Sequence, residues 1–213
     1  MTIISIIIAV MLYEKIKGWK FYRVIVFLPF ITSITALGVV FTHMLKKDGM
    51  INSLLESMNL DFLALDWIGD PKVALYTVAL IIIWKQVGFG IVLFLARLMS
   101  ANEDLFDAAK IDGVNWFQNI RYMVIPQLST IIQFYVVITG IYVISWIFDY
   151  IFIITYGGPG SSTYVLSYYV YQNTFRFRLP GIGNAASLIL LLIGGIFITI
   201  QFYLRRRARE IAE

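Results

Sequence analysis

Long apolar runs separated by short polar stretches set the pattern of this chain. Four runs are long enough to cross a bilayer, at about 24–44, 73–98, 128–155 and 182–204. About 20 apolar residues span the ~30 Å hydrocarbon layer. Lipid gives the backbone no hydrogen-bond partners, so each run is predicted to be a helix. Pro29 lies inside the first run and is expected to kink or start a helix. A fifth run, 1–12, covers only ~18 Å as a helix. It lacks a basic segment ahead of it, so it is a poor signal peptide. It reads either as the inner end of a spanning helix whose beginning is missing or as a short anchoring helix. The expected fold is an all-α, polytopic transmembrane domain over residues 1–213, with about four full spans plus a partial N-terminal one.

Composition agrees with that pattern and narrows it. The chain has 213 residues, 60% hydrophobic and 14% charged, with a mean hydropathy of +0.80. Soluble domains carry about 25% charged residues. A soluble enzyme, a disordered chain and a nucleic-acid-binding module are therefore poor readings. The formal charge of +4 and a pI near 9.2 change meaning once the basic residues are placed. Eleven of the seventeen fall on one side: Lys15, Lys17, Lys20 and Arg23, then Arg97, Lys110 and Arg121, then Arg205, Arg206, Arg207 and Arg209. The positive-inside rule makes that side, and the C-terminus, cytoplasmic. With no Cys and one His, the usual thiol and zinc chemistries are excluded. No GxxxxGK[ST] phosphate loop is present, so the chain is not read as an enzyme.

The outer connections carry their own signals. Ile51, Leu54, Leu55 and Met58 recur at helical spacing and predict a short amphipathic helix at the outer surface. Gly69-Asp70-Pro71 then turns the chain into the next span. Gly157-Gly158-Pro159-Gly160 cannot be helix. It forces a sharp re-entry into the Tyr-rich segment 164–177, expected at headgroup depth.

The cytoplasmic loop 100–126 is longer than a connection needs, which is about four to six residues. Ser100 with Glu103 has capping-box spacing, and Gly113 is a natural helix stop. A second short helix, 115–123, is expected to end before Pro126. Ala108 and Ala109 leave room for another backbone, while Leu105, Phe106 and Ile111 offer apolar surface. Two readings fit: a docking surface for a partner, or a helix pair lying on membrane lipid.

At these residues the sequence resembles the "EAA" loop of binding-protein-dependent ABC importer permeases. Asp107-Ala108-Ala109, Gly113 and Met123-Val124-Ile125-Pro126 stand at the family's spacing. Asp107 replaces a Glu, Met123 an Ile and Ile125 a Leu. Phe27-Leu28-Pro29, Gly49-Met50-Ile51-Asn52, Trp67-Ile68-Gly69-Asp70-Pro71, Trp84-Lys85-Gln86-Val87-Gly88-Phe89 and Tyr156-Gly157-Gly158-Pro159-Gly160 are similar to the carbohydrate-type, maltose-permease-like branch. The resemblance implies a permease subunit of the bacterial cell membrane. Its partners would be a second permease subunit, two cytoplasmic ATPase subunits and an extracytoplasmic solute-binding protein. ATP and Mg would be bound by the ATPases, leaving no cofactor in this chain. Asp107, Ala108, Ala109, Gly113 and Pro126 would couple ATPase closure to the spans. The family pattern has six spans, so a first helix and half of a second are expected to be missing here.

Charge and polarity at bilayer depth are costly, which makes such residues pathway candidates. They are Lys85, Gly88, Gln133, Tyr142, Ser145, Trp146 and Asp149. Lys85 has three readings: it faces a wet cavity, pairs with a partner subunit or stabilises the structure. Asp149 lies on the pathway or simply near the interface. Gln133 fits a helix–helix hydrogen bond as well as a pathway. Sugars are bound by aromatic faces and neutral hydrogen-bonding groups, which the second and third runs supply. A sugar is the expected solute by resemblance. Glycerol phosphate or another non-sugar solute is the alternative, followed by a secondary transporter, which would need repeats or several intramembrane acids.

Overall fold

The computed structural model describes residues 1–14, 18–101 and 113–210, with side chains as far as Leu204. The described residues are helical and contain no strand. In chain order the helices are α1 (Thr2–Tyr13), α2 (Trp19–Ile31), α3 (Ile34–Met44), α4 (Met50–Ser57) and α5 (Ala74–Met99). They continue with α6 (Trp116–Gln118), α7 (Ile125–Tyr150), α8 (Leu166–Tyr171) and α9 (Pro180–Glu210). Among the described residues, three helical stretches are long and apolar enough to cross a membrane: Ala74–Met99, Trp116–Thr155 and Pro180–Leu204. A fourth span is possible by length if α2 and α3 are taken as one broken helix.

Two of the expected helices differ in outline. The run at 24–44 breaks at Thr32–Ser33, one turn after Pro29, where Ser33 takes an extended ψ of 134°. The expected stop before Pro126 does not occur either. A π-helical segment, Asn119–Val124, joins α6 to α7, and the Ile125 amide donates to the Ile120 carbonyl. Proline clashes with the carbonyl four residues earlier in an α-helix. Widening the turn just ahead of Pro126 relieves that clash, so the helix runs on to Thr155. The expected amphipathic helix is present as α4, and the Tyr-rich segment after the glycine turn forms a helix, α8, that the sequence did not predict.

The chain divides into two compact units. The first holds Met1–Ile31 and Ile83–Thr139. Its core sets Ile6, Ala9, Val10 and Leu12 of α1 against Val87, Ile91, Phe94, Leu95 and Leu98 of α5, with Leu128 and Tyr135 of α7. These recur at three- and four-residue spacing, so each helix buries one stripe. In lipid, association is driven by close packing and hydrogen bonds rather than by expulsion of water. Two glycines show this. A Cβ on Gly88 would meet the Val26 carbonyl oxygen, and one on Gly90 would meet Ser5 and, at 2.8 Å, the Tyr135 ring.

The second unit holds Thr32–Ile82 and Gly140–Glu213. There Gly38 of α3 is pressed against Ile153, and Gly140 of α7 against the Phe197 ring of α9. Asn52 organises the segment between α4 and α5. Its amide donates to the carbonyls of Lys47 (2.9 Å) and Leu65 (2.8 Å), while its oxygen accepts from Trp67 Nε1 (2.7 Å). At the glycine turn, Tyr156, Gly157 and Gly160 all have positive φ, as a tight reversal needs. Tyr168 Oη donates to the Tyr156 carbonyl at 2.7 Å and ties α8 back to that turn.

Candidate functional site

The candidate residues form three groups, and each is built by its local helix geometry. In the loop, Asp107, Ala108 and Ala109 lie outside the described residues, as does Glu103. The flanks are described. Ser100 Oγ donates to the Arg97 carbonyl at 2.8 Å and accepts from Arg97 Nη1 at 3.1 Å, which closes α5. Gly113 has φ +73°, and a Cβ there would meet nothing within 4 Å. Only its backbone conformation, not crowding, selects glycine. Asn115 and Gln118 then form a reciprocal capping box, with both bonds at 2.9 Å. Trp116 and Phe117 stack edge to face at 5.1 Å, and Phe117 is 77% exposed. Pro126 is exposed at the second position of α7.

The second group surrounds residues 85–90 of α5 in the first unit. Lys85 is buried, and its Nζ donates to the carbonyls of Phe30 (2.6 Å) and Pro29 (3.1 Å). The same ammonium lies 5.7 Å from the Phe30 ring centre. Two further side chains bond the α5 backbone: Ser5 Oγ donates to the Val87 carbonyl (3.2 Å) and Tyr135 Oη to that of Gln86 (3.3 Å). Phe30 stacks on Phe89 at 5.0 Å, and Phe89 meets Tyr135 at 6.0 Å. Gly88 lies where α2 approaches α5 closely: a Cβ there would meet the Val26 carbonyl oxygen. Gln133 is half-buried on α7.

The third group lies on α7 in the second unit. Tyr142, Ser145, Trp146 and Asp149 fall at i, i+3, i+4 and i+7 of a continuous helix. At ~100° per residue the four share one face. Tyr142 and Trp146 stack with ring centres 6.1 Å apart, and Trp146 is 51% exposed. Ser145 borders an apolar groove between α7 and α9 that also takes in Ser187, Gly194 and Gly195. Tyr142 Oη lies 3.0 Å from Tyr150 Oη, which anchors one end of the stripe. Gln133 is nine residues before Tyr142, half a turn out of phase with that face.

Sequence reasoning did not single out Ser5, Tyr135 or Tyr150. Ser5 is the one serine of an apolar 12-residue helix, and it stands where Gly90 leaves room; only the α1–α5 pairing makes it informative. Tyr135 and Tyr150 read as ordinary membrane aromatics until their hydroxyls find partners.

Known proteins share this arrangement. A crystal structure of a bacterial ABC transporter involved in import of the acidic polysaccharide alginate superposes with a TM-score of 0.84 at 26% identity. It covers 97% of this chain and 72% of that one. The same score, at 25% identity, is found for the alginate transporter in complex with a periplasmic protein bound to an alginate pentasaccharide. Among sequences, a probable ABC transporter permease of Pyrococcus horikoshii is 31% identical over 209 residues, 98% of this chain and 71% of that protein. The lactose transport system permease LacF of Rhizobium radiobacter is 31% identical over 214 residues, with the same coverage. The diacetylchitobiose uptake permease NgcF of Streptomyces coelicolor is 28% identical over 193 residues, 90% of this chain and 55% of its own length. Residues 1–210 match the family described as binding-protein-dependent transport system inner membrane component. With its apolar spanning helices and that match, the chain belongs to this family of multi-pass ABC importer permeases.

Proposed function

We propose that this chain is the permease subunit through which a carbohydrate, delivered by an extracytoplasmic binding protein, crosses the membrane. The observation that carries the reading is the agreement of sequence relatives named for lactose and diacetylchitobiose with structural relatives named for alginate, each over 90% or more of the chain. The aromatic and hydroxyl stripe of Tyr142, Ser145 and Trp146 supports it chemically. Apolar sugar faces stack on aromatic rings, and hydroxyls exchange hydrogen bonds with neutral polar groups. Asp149, Gly88 and Gln133 complete the proposed pathway set, while Lys85 is held by the carbonyls of Pro29 and Phe30.

The chain performs no catalysis of its own in this reading. Two cytoplasmic ATPase subunits bind ATP and Mg, and a second permease subunit completes the path. Asp107, Ala108 and Ala109 dock against one ATPase, while Gly113 sets the turn after them and Pro126 marks the entry into α7. The C-terminus is cytoplasmic, which the four arginines of 205–209 support. Closure of the ATPases pushes on the loop, and the Asn115–Gln118 box stiffens the start of the long helix that receives the push.

The test is to purify the assembly through a tag on this chain from native membranes and identify what comes with it. An ATPase, a second permease and a binding protein are expected. Thermal unfolding of that binding protein is then screened against neutral oligosaccharides, acidic oligosaccharides and glycerol phosphate. Stabilisation by an oligosaccharide supports the reading. Stabilisation by glycerol phosphate alone, or purification with no ATPase, overturns it.

A further inference from the structure

Among the described residues Lys85 is the one buried lysine, and it bonds a backbone rather than an acid. Its two acceptors, Pro29 and Phe30, belong to the last turn of α2, just ahead of the break at Thr32–Ser33. The last four carbonyls of a helix lose their usual amide partners. They also carry the negative end of the helix dipole, which favours a cation. Two carbonyl oxygens of that turn lie 2.6 and 3.1 Å from Nζ, and the face of Phe30 lies 5.7 Å away. Aromatic faces attract ammonium groups at about this distance. Broken membrane helices leave such carbonyls where loose ions can bind. Here the cation is covalently part of α5.

We propose that Lys85 is the resident cation of a helix-end site on α2, and that it acts as a positioning residue fixing where the α2–α3 pair breaks. Its ammonium reads the α2 carbonyls rather than the transported solute. The solute is irrelevant to the inference, so it stands or falls independently of the carbohydrate assignment.

The absence of cysteine from the chain makes the test direct. In the assembled transporter, Ser33→Cys reports on the break and Ser57→Cys, on exposed α4, serves as the control. Both are labelled with a membrane-impermeant thiol reagent, and this chain is resolved on a gel. Lys85→Ala is expected to raise labelling at position 33 by about ten-fold, the scale of losing a charged hydrogen bond, and to leave position 57 unchanged. n-Propylammonium replaces the deleted atoms and is expected to restore parental labelling in a saturable way, whereas 1-propanol is not. Unchanged labelling at 33, an equal change at both positions, or equal restoration by 1-propanol would each overturn the proposal. If Lys85→Ala does not reach the membrane, accumulation becomes the readout. Lys85→Arg should then accumulate and Lys85→Met should not. Failure of Arg alongside Met, or parental behaviour of Met, sinks the idea.

Discussion

The hydroxyls of Tyr142 and Tyr150 lie 3.0 Å apart, two turns along a single helix. The pair separates two roles on α7. Tyr150 is buried, so Tyr142→Phe leaves its hydroxyl without that partner, at a cost of ~1–3 kcal/mol. Trp146 is half exposed, and its loss should cost little stability. Expected results therefore diverge. Tyr142→Phe should lower the unfolding temperature of the purified assembly. Trp146→Ala should leave it nearly unchanged while weakening uptake of the solute that stabilises the binding protein. Normal uptake by Trp146→Ala would remove the aromatic stripe from the proposed path.

The glycines of the spans divide into packed and open positions. A Cβ on Gly88 runs into backbone, the Val26 carbonyl, which cannot rotate away. Gly194 and Gly195 of α9 have nothing within 4 Å. Gly88→Ala is expected to destabilise by ~1–3 kcal/mol, the range for overpacking. Gly194→Ala should be neutral or stabilising, because alanine favours helix by ~1 kcal/mol. Heating the two variants side by side in detergent decides the matter; equal unfolding temperatures would contradict the close α2–α5 crossing.

Much of this was legible in the sequence, and the reasons differ by residue. Span number and approximate limits follow from hydropathy, because lipid allows the backbone so few forms. The glycine turn at 157–160 and the amphipathic helix at 50–57 follow from local chemistry. The break at Thr32–Ser33 does not. Pro29 signals a disturbance, but where the chain opens depends on Lys85, which is 55 residues from Phe30. The continuation through Pro126 was hidden for a related reason: a π-turn absorbs the proline, and its cause is spread over several residues. Within the proposed pathway, helical periodicity alone groups Tyr142, Ser145, Trp146 and Asp149. The surroundings of Lys85 and Gly88 needed the helix pairing.

Asn52 offers a test of the segment between α4 and α5. Its side chain holds three partners, Lys47, Leu65 and Trp67, and it is 2% exposed. Asn52→Leu keeps the number and branching of the heavy atoms and removes every bond. Leaving buried polar groups unpaired costs ~1–3 kcal/mol each, less whatever water recovers. The segment between α4 and α5 should then open, seen as faster protease cleavage near residues 60–66 in the purified assembly. Asn52→Asp retains the acceptor for Trp67 and should be cut at an intermediate rate. Cleavage of Asn52→Leu at the parental rate would show that the network does not hold the segment.

Gly113 separates conformation from crowding at the loop. Its φ of +73° costs an ordinary L-residue ~1–2 kcal/mol, and nothing stands where a side chain would go. Size alone should therefore matter little within the chain, and backbone tolerance should matter more. Asn tolerates this region far better than a β-branched residue does. Gly113→Asn is expected to keep most substrate-stimulated ATPase activity in the reconstituted assembly. Gly113→Val should reach the membrane in normal amounts yet lose most of that stimulation, because the turn after the docking segment is distorted. If both variants retain full stimulation and uptake, Gly113 has no part in coupling.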